Sequence, residues 1–182
     1  MHEEAMLLEP DDLLNLPNGE SFELVDGRLQ EKTIGARSEE IAGHVFAALH
    51  QFIRAHGLGH LFGSQTAYRC FSHRPRLVRK PDASFVAKGR FLNDQSPDGD
   101  ISIQPDLVVE SISPNDSFEE IEERVNDFLK AGVRLIWIVS PVNKTVLIRR
   151  PDKSAAMLDV TDTLSGEDVV PGFSCPVADL FS

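Results

Sequence analysis

Two short stretches of this sequence carry acids in the same setting. "KPDASFV", from Lys80 to Val86, and "QPDLVVE", from Gln104 to Glu110, each place Pro-Asp at the start of a branched apolar run. Side chains alternate along a strand, so Asp82 shares a face with Ser84 and Val86, and Asp106 shares one with Val108 and Glu110. Glu110 falls inside an otherwise apolar strand, where a carboxylate is costly unless it is paired or binds a cation. If the two strands are neighbours, Asp82 and Glu110 meet on one face. Two carboxylates there repel and raise one pKa unless a divalent cation joins them. A small set of oxygen donors suits Mg2+ (or Mn2+), an ion that keeps several waters and bridges to phosphate. Such an ion activates water and stabilises the charge that develops in phosphodiester hydrolysis. A plainer reading fits the same residues. Pro-Asp commonly starts a strand with Asp capping a loop, and Glu110 can face solvent or pair with Arg134 or Arg76.

The elements that must position these acids can be read from periodicity and punctuation. "SFELVDGRLQEK" is a hairpin turning at Asp26-Gly27, a strong turn signal. "SEEIAGHVFAALHQFIRAHG" is a helix with Ser38 as its cap, Glu39 and Glu40 in its first turn and Gly57 as its stop. Ile41, Val45, Leu49, Phe52 and Ile53 form its apolar stripe. His44 and His50 lie beside that stripe without a partner at ligand spacing. "HLFGSQTAYRCF" reads as a strand or two, and Pro81 marks "RLVRKPDASFVAK" as an edge or irregular strand. The polar stretch from Gly89 to Asp100 is a loop. After the strand bearing Glu110, "SPNDSFEEIEERVNDFLKAG" is a helix with a capping box from Ser117 to Glu120 and a stop at Gly132. Its apolar face is Phe118, Ile121, Val125, Phe128 and Leu129. "VRLIWIVSP" is a strand at a covered sheet centre, with Trp137 in the core. Further strands follow in "KTVLIRR" and "AAMLDV", and the irregular tail docks through Phe173, Val177, Leu180 and Phe181. A strand–helix–strand unit thus spans residues 106 to 139, with a right-handed crossover expected.

The totals narrow the class. A chain of 182 residues is expected to form one domain over residues 1–182, with residues 1–7 flexible. No apolar run approaches the roughly 20 residues of a membrane span, so no membrane partner is expected. The acidic start "MHEEAMLLEPDD" resembles neither a secretory signal nor a transit peptide. Cys70 and Cys175 stand far apart in no metal-like spacing, which suits reduced thiols in a cytoplasmic protein. The net charge of −11 argues against indiscriminate nucleic-acid binding, whose main contribution is phosphate neutralisation. The charge is uneven, however. Between Tyr68 and Lys80 stand Arg69, Arg74, Arg76, Arg79 and Lys80 with no acid, whereas Asp116 to Asp127 holds six acids and one base, Arg124. The basic strip either tracks a phosphate backbone or is a solvated strand edge protected by charge.

Several ordered stretches, "RLVRKPDASFV", "IQPDLVVESISPNDSFEEIEERVNDFLKAGVRLIWIVSP" and "LSGEDVVPGF", together resemble the Uma-two family of endonuclease-like proteins. "FELVDGRL" and "GARSEEIAGHVFAAL" fit its N-terminal half, so the resemblance runs from about residue 8 to 182. It implies an α/β, restriction-endonuclease-like (PD-(D/E)xK) fold: a mixed central sheet flanked by helices, here with an N-terminal hairpin. It also implies that Asp82 and Glu110 hold Mg2+. An acid on the first helix can join such a site, which nominates Glu39 or Glu40, and Asp106 stands at the mouth of the same face. One departure concerns the lysine. The general motif puts it two residues after the second acid, where this chain has Ile112. The family's usual substitute lies on the following helix, where this chain has Arg124. An arginine there keeps the positive charge but cannot lose a proton at neutral pH. Its local alternative is a pair with Glu120. Lys80, two residues before Asp82, offers a second source of positive charge.

These expectations converge on a Mg2+-dependent endonuclease acting on DNA. Asp82 and Glu110 would bind metal, Arg124 or Lys80 would stabilise charge, and Arg69, Arg74, Arg76 and Arg79 would meet the backbone. So acidic a chain implies a homodimer or a partner that concentrates the basic surfaces. The alternative is a catalytically weakened or inactive module of the same fold that binds nucleic acid or protein. A third reading, a structural dimer with an unrelated ligand, would be favoured by a Glu110 salt-bridged to arginine with no cavity beside it.

Overall fold

The computed structural model describes residues 7–32 and 35–182. All but the last of the residues expected to be flexible at the start, 1–7, lie outside the described residues. In chain order the elements are α1 (Pro10–Asn15), β1 (Phe22–Val25), β2 (Arg28–Glu31), α2 (Ala36–His56), β3 (Gly59–Gly63), β4 (Ala83–Ala87), β5 (Leu107–Ser111), α3 (Phe118–Ala131), β6 (Leu135–Ser140), β7 (Thr145–Arg149), β8 (Ala155–Leu158), β9 (Thr163–Ser165), β10 (Ser174–Pro176) and α4 (Val177–Leu180). β3 to β8 form one six-stranded sheet in sequence order. β5 and β6 are parallel, joined through α3, and every other neighbouring pair is antiparallel. This is the expected mixed sheet flanked by helices.

The sheet is covered on both faces because its strands are apolar on both. On one face Ala83, Phe85, Leu107, Val109, Leu135, Trp137 and Val139 pack with Ile41, Val45, Leu49 and Ile53 of α2 and with Phe173, Val177, Leu180 and Phe181 of the tail. On the other, Val108, Ile136 and Ile138 pack with Val125 and Phe128 of α3 and with Tyr68, Phe71 and Leu77. Each such large side chain contributes about 1.5–3 kcal/mol by leaving water. α2 ends at Gly57 (φ 60°) and α3 at Gly132 (φ 98°), the left-handed geometry that glycine adopts without strain. The Ser117–Glu120 capping box opens α3 as expected.

The hairpin turns at Asp26 and Gly27, both at positive φ, and pairs Val25 with Arg28. It is a separate two-stranded sheet, bridged to the rest through Leu24 and Val78. Four details differ from the sequence reading. α2 begins at Ala36, so Ser38 lies inside it, and its hydroxyl donates to the Ile112 carbonyl at 2.8 Å. β4 is an interior strand, because Pro81 falls just ahead of it where no ladder N–H is needed. Phe118 is 73% exposed at the tip of α3, off the apolar face. The tail is less irregular than expected, since β9 and β10 pair within it. Among the described residues, no helix is long and apolar enough to cross a membrane.

Candidate active site

β4 and β5 run antiparallel with Ala83 opposite Val109, and the Asp82 N–H donates to the Val109 carbonyl at 3.1 Å. One step further along this register sets Asp82 opposite Glu110. Directly opposed residues share a face, with Cβ atoms about 4.5–5.5 Å apart. The two acids sit on the α3 side of the sheet, 6% and 8% exposed, and line a cavity of about 120 Å³. Among the described residues, no group of three or more His, Cys, Asp and Glu side chains converges at metal-binding distance.

Two cations face the pair. From α3, Arg124 donates through Nη2 to both oxygens of Glu110 at 3.1 and 3.0 Å, and through Nη1 to Glu23 at 2.6 Å. From the residue after β2, Lys32 donates through Nζ to Asp82 Oδ1 at 2.7 Å and to the Lys80 carbonyl. The other oxygen of Asp82 accepts from the Ser111 N–H at 2.7 Å. Burial pushes the Glu110 carboxyl up to about 7. Arg124 and Lys32 pull it down, but the neighbouring Asp82 and Glu23 push the same way as burial. Burial also acts to raise Glu23, yet Arg124, Arg79, Lys32 and the Lys80 N–H outweigh it and hold Glu23 below its ordinary range. Burial works against the charge on Arg124, but Glu110, Glu23 and Asp82 keep it firmly ionised.

Behind the cavity the ion pairs continue. Glu23 also accepts from Arg79 at 3.0 Å, and Arg79 donates to Asp127 of α3 at 2.8 Å. Asp127, Arg79, Glu23, Arg124 and Glu110 thus form an unbroken line of alternating charge from the buried face of α3 into the cavity. Arg79 is 1% exposed, so its side chain is an interior fastener and lies off the surface where a backbone contact was expected. Arg74 is held by Asp26, Glu123 and Asp127. Arg69 pairs with Asp11 at 2.6 Å and Arg76 with Glu9 at 2.5 Å. The basic strip is thus a mate for acids of the same chain, above all the acidic face of α3, and is not a free electropositive edge.

The other expectations divide. Arg124 reaches the sheet from the margin of α3, while Glu120 is engaged in the cap and not with it. Lys80 turns away from the acids. Its ammonium donates to the Gly19 and Glu20 carbonyls at 2.8 and 3.0 Å and borders a second cavity beside Asp100. Glu39 and Glu40 do not line the candidate site, and Glu40 pairs with Arg37. Asp106 lies at the opposite end of β5 from Glu110, accepting from the Ala87 N–H and from Arg90, both at 2.8 Å. His44 contacts the Leu180 carbonyl, as suits a satisfied histidine. Glu110 does pair with arginine, but a cavity lies beside it, so only half of the condition for the third reading, a structural dimer with an unrelated ligand, is met.

Glu23 and Lys32 are functional candidates missed in the sequence. Glu23 carried the same signal as Glu110, an acid within a buried strand. Lys32 carried none, since a lysine closing a hairpin ordinarily lies in solvent.

Comparison with known proteins agrees with this architecture. A crystal structure titled as that of "a putative nuclease belonging to DUF820 from Anabaena variabilis" superposes with a TM-score of 0.81, covering 97% of this chain and 98% of that one at 20% identity. At that identity the likeness speaks to the fold. No curated protein matches the sequence. The model of the Uma2 family, described as "Putative restriction endonuclease", matches residues 10–178. With almost its whole length matched in this way, the chain belongs to the Uma2 family.

Proposed function

We propose that the protein is a divalent-metal-dependent endonuclease that hydrolyses phosphodiester bonds of DNA. The observation that carries the reading is the cross-strand placement of Asp82 and Glu110 on one face beside a cavity. The donors suit the ion: two hard carboxylates with unused lone pairs are what Mg2+ or Mn2+ takes from a protein when waters and phosphate complete its shell. Bound there, the ion supplies Lewis-acid stabilisation and a water of lowered pKa.

The residues of the chain do the rest. Asp82 is aimed by the Ser111 N–H, and Glu110 by its place in a central strand. Arg124 keeps one arm on Glu23 and so remains in the cavity when its other arm leaves Glu110. That free arm meets phosphate oxygen, and it contributes charge without moving a proton. Arg69 and Arg76 are the strip residues best able to exchange partners for phosphate, since their acids, Asp11 and Glu9, are themselves exposed. With Arg74 and Arg79 committed to internal pairs, one acidic chain offers little charge to a duplex. We therefore take the working unit to be a homodimer of single-domain protomers.

The test is plasmid nicking in Mg2+ or Mn2+ with Asp82→Ala and Glu110→Ala. Cleavage abolished by both supports the enzyme. A second reading, a binding module with the nuclease fold, draws on the engagement of both Glu110 oxygens by Arg124. DNA binding without turnover, unchanged by Arg124→Lys, would favour it. Activity gained by Arg124→Lys would mark a weakened enzyme.

A further inference from the structure

We infer that Lys32 is a catalytic residue: its ammonium, paired with Asp82, passes to a non-bridging oxygen of the target phosphate when a divalent cation takes Asp82. The inference rests on the nuclease reading and adds to it the source of the positive charge that Ile112 cannot supply. Lys32 Nζ contacts two acceptors of different kinds. One is the Asp82 carboxylate at 2.7 Å, a group suited to metal. The other is the Lys80 carbonyl, which is fixed in place. The Lys80 N–H donates to Glu23 at 2.7 Å and its ammonium is tied to Gly19 and Glu20, so that carbonyl is a rigid post.

An ammonium has three donors. Two are used here, and the flexible four-carbon stem lets the group turn about its post. With a divalent ion held by Asp82, an ammonium at the same oxygen would be repelled. Lys32 would then keep the Lys80 carbonyl and turn its freed donor toward incoming phosphate. Arg124 has the same design, with Glu110 as its exchangeable partner and Glu23 as its permanent one. Lys32 differs in that its permanent partner is neutral, so its full charge is available to phosphate. Apart from Lys32, Arg124 and Asp82, the charged groups lining the cavity, Glu23, Glu31, Glu110, Asp116 and Glu120, are all acids. Only 14% of its side chain is exposed, and the hairpin that carries it is bridged to Val78, so it is placed and not wandering. No covalent bond is made or broken at Lys32; its part is neutralisation of developing charge.

The experiment compares the wild type, Lys32→Met, Lys32→Arg and Asp82→Asn as full chains. Mn2+ binding is followed by calorimetry without nucleic acid, and plasmid cleavage is followed in Mn2+. Removing a cation from beside a ligand oxygen should tighten Mn2+ binding about tenfold, while cleavage falls on the order of 100-fold. Lys32→Arg should return wild-type Mn2+ affinity and part of the cleavage. A lysine that only supports the fold gives the opposite pattern, with Mn2+ affinity unchanged or weakened in Lys32→Met, and that result overturns the inference. Should the Met variant fail to fold, Lys32→Gln carries the same expectation. If Asp82→Asn abolishes cleavage while Lys32→Met cleaves normally, the nuclease stands and the role of Lys32 falls. If the wild type neither binds Mn2+ nor cleaves, both fall.

Discussion

Replacing Glu110 by Gln separates a working carboxylate from a structural ion pair. The variant keeps the shape and one acceptor oxygen for Arg124, exchanges the other oxygen for an NH2 donor, and cannot ionise. In the folded chain burial lifts Glu110 from its ordinary 4.5 to about 7. As pH rises the unfolded chain therefore gives up this proton first. The stability tied to the protonated form is complete below 4.5 and is lost as pH climbs through 7. At pH 8 the whole gap counts, about 3 kcal/mol at about 1.4 kcal/mol per pKa unit. Glu110 is only 8% exposed, so solvent screening takes little from this. Glu110→Gln should thus be more stable than the wild type by about 3 kcal/mol at pH 8 in metal-free buffer and nearly equal to it at pH 4.5. For a chain of this size that is a rise in Tm of roughly 6–12 °C at pH 8. Urea and thermal unfolding at the two pH values measure it, and cleavage is lost in the same variant. If the variant is less stable than the wild type at pH 8, the Arg124–Glu110 pair is a fastener of the fold, and the argument from burial is wrong.

Two further outcomes follow from the same geometry. Arg79→Met leaves Glu23 and Asp127 buried with fewer partners and should cost about 3–5 kcal/mol, read as a lower urea midpoint; an unchanged midpoint would show that the interior line of charge carries no stability. Below pH 7 a proton competes with metal for Glu110, so Mn2+ affinity should weaken by about tenfold per pH unit on acidification. Calorimetry from pH 8 down to 6 tests this, and a flat profile would remove Glu110 from the metal site.

What could be read from the chain depended on how local the signal was. Asp82 and Glu110 were legible because alternation within "KPDASFV" and "QPDLVVE" sets their faces, and adjacency of consecutive strands is the common arrangement. The capping box at Ser117 and the glycine stops were legible for the same reason, since each is decided within one turn of chain. Ser38 was misplaced because a serine near a helix start is equally suited to a cap and to bonding a neighbouring strand end, and only the sheet decides. The internal pairing of the arginine strip was not legible, because Glu123 and Asp127, which hold Arg74 and Arg79, lie about 50 positions away on α3, and Asp11 and Glu9, which pair with Arg69 and Arg76, stand 58 and 67 positions back. Lys32 and Glu23 could not be assigned to the site from the sequence, because the hairpin reaches the cavity through long-range contacts, such as Leu24 to Val78 and Glu23 to Arg79 and Lys80, that no periodicity announces.

The guanidinium of Arg124 divides its two terminal nitrogens between Glu23 and Glu110. A lysine, with one nitrogen, could satisfy only one of them in that geometry. Arginine at this position is therefore more than a substitute positive charge: it is the link between Glu23 and Glu110 in a string in which every neighbour has the opposite sign. Away from its cavity end such a string can be rewritten only in couples. A single replacement at Asp127, Arg79, Glu23 or Arg124 strands an interior charge, so drift at one position should be accompanied by drift at the next. Natural variation among relatives sharing this hairpin should move through these four sites in pairs.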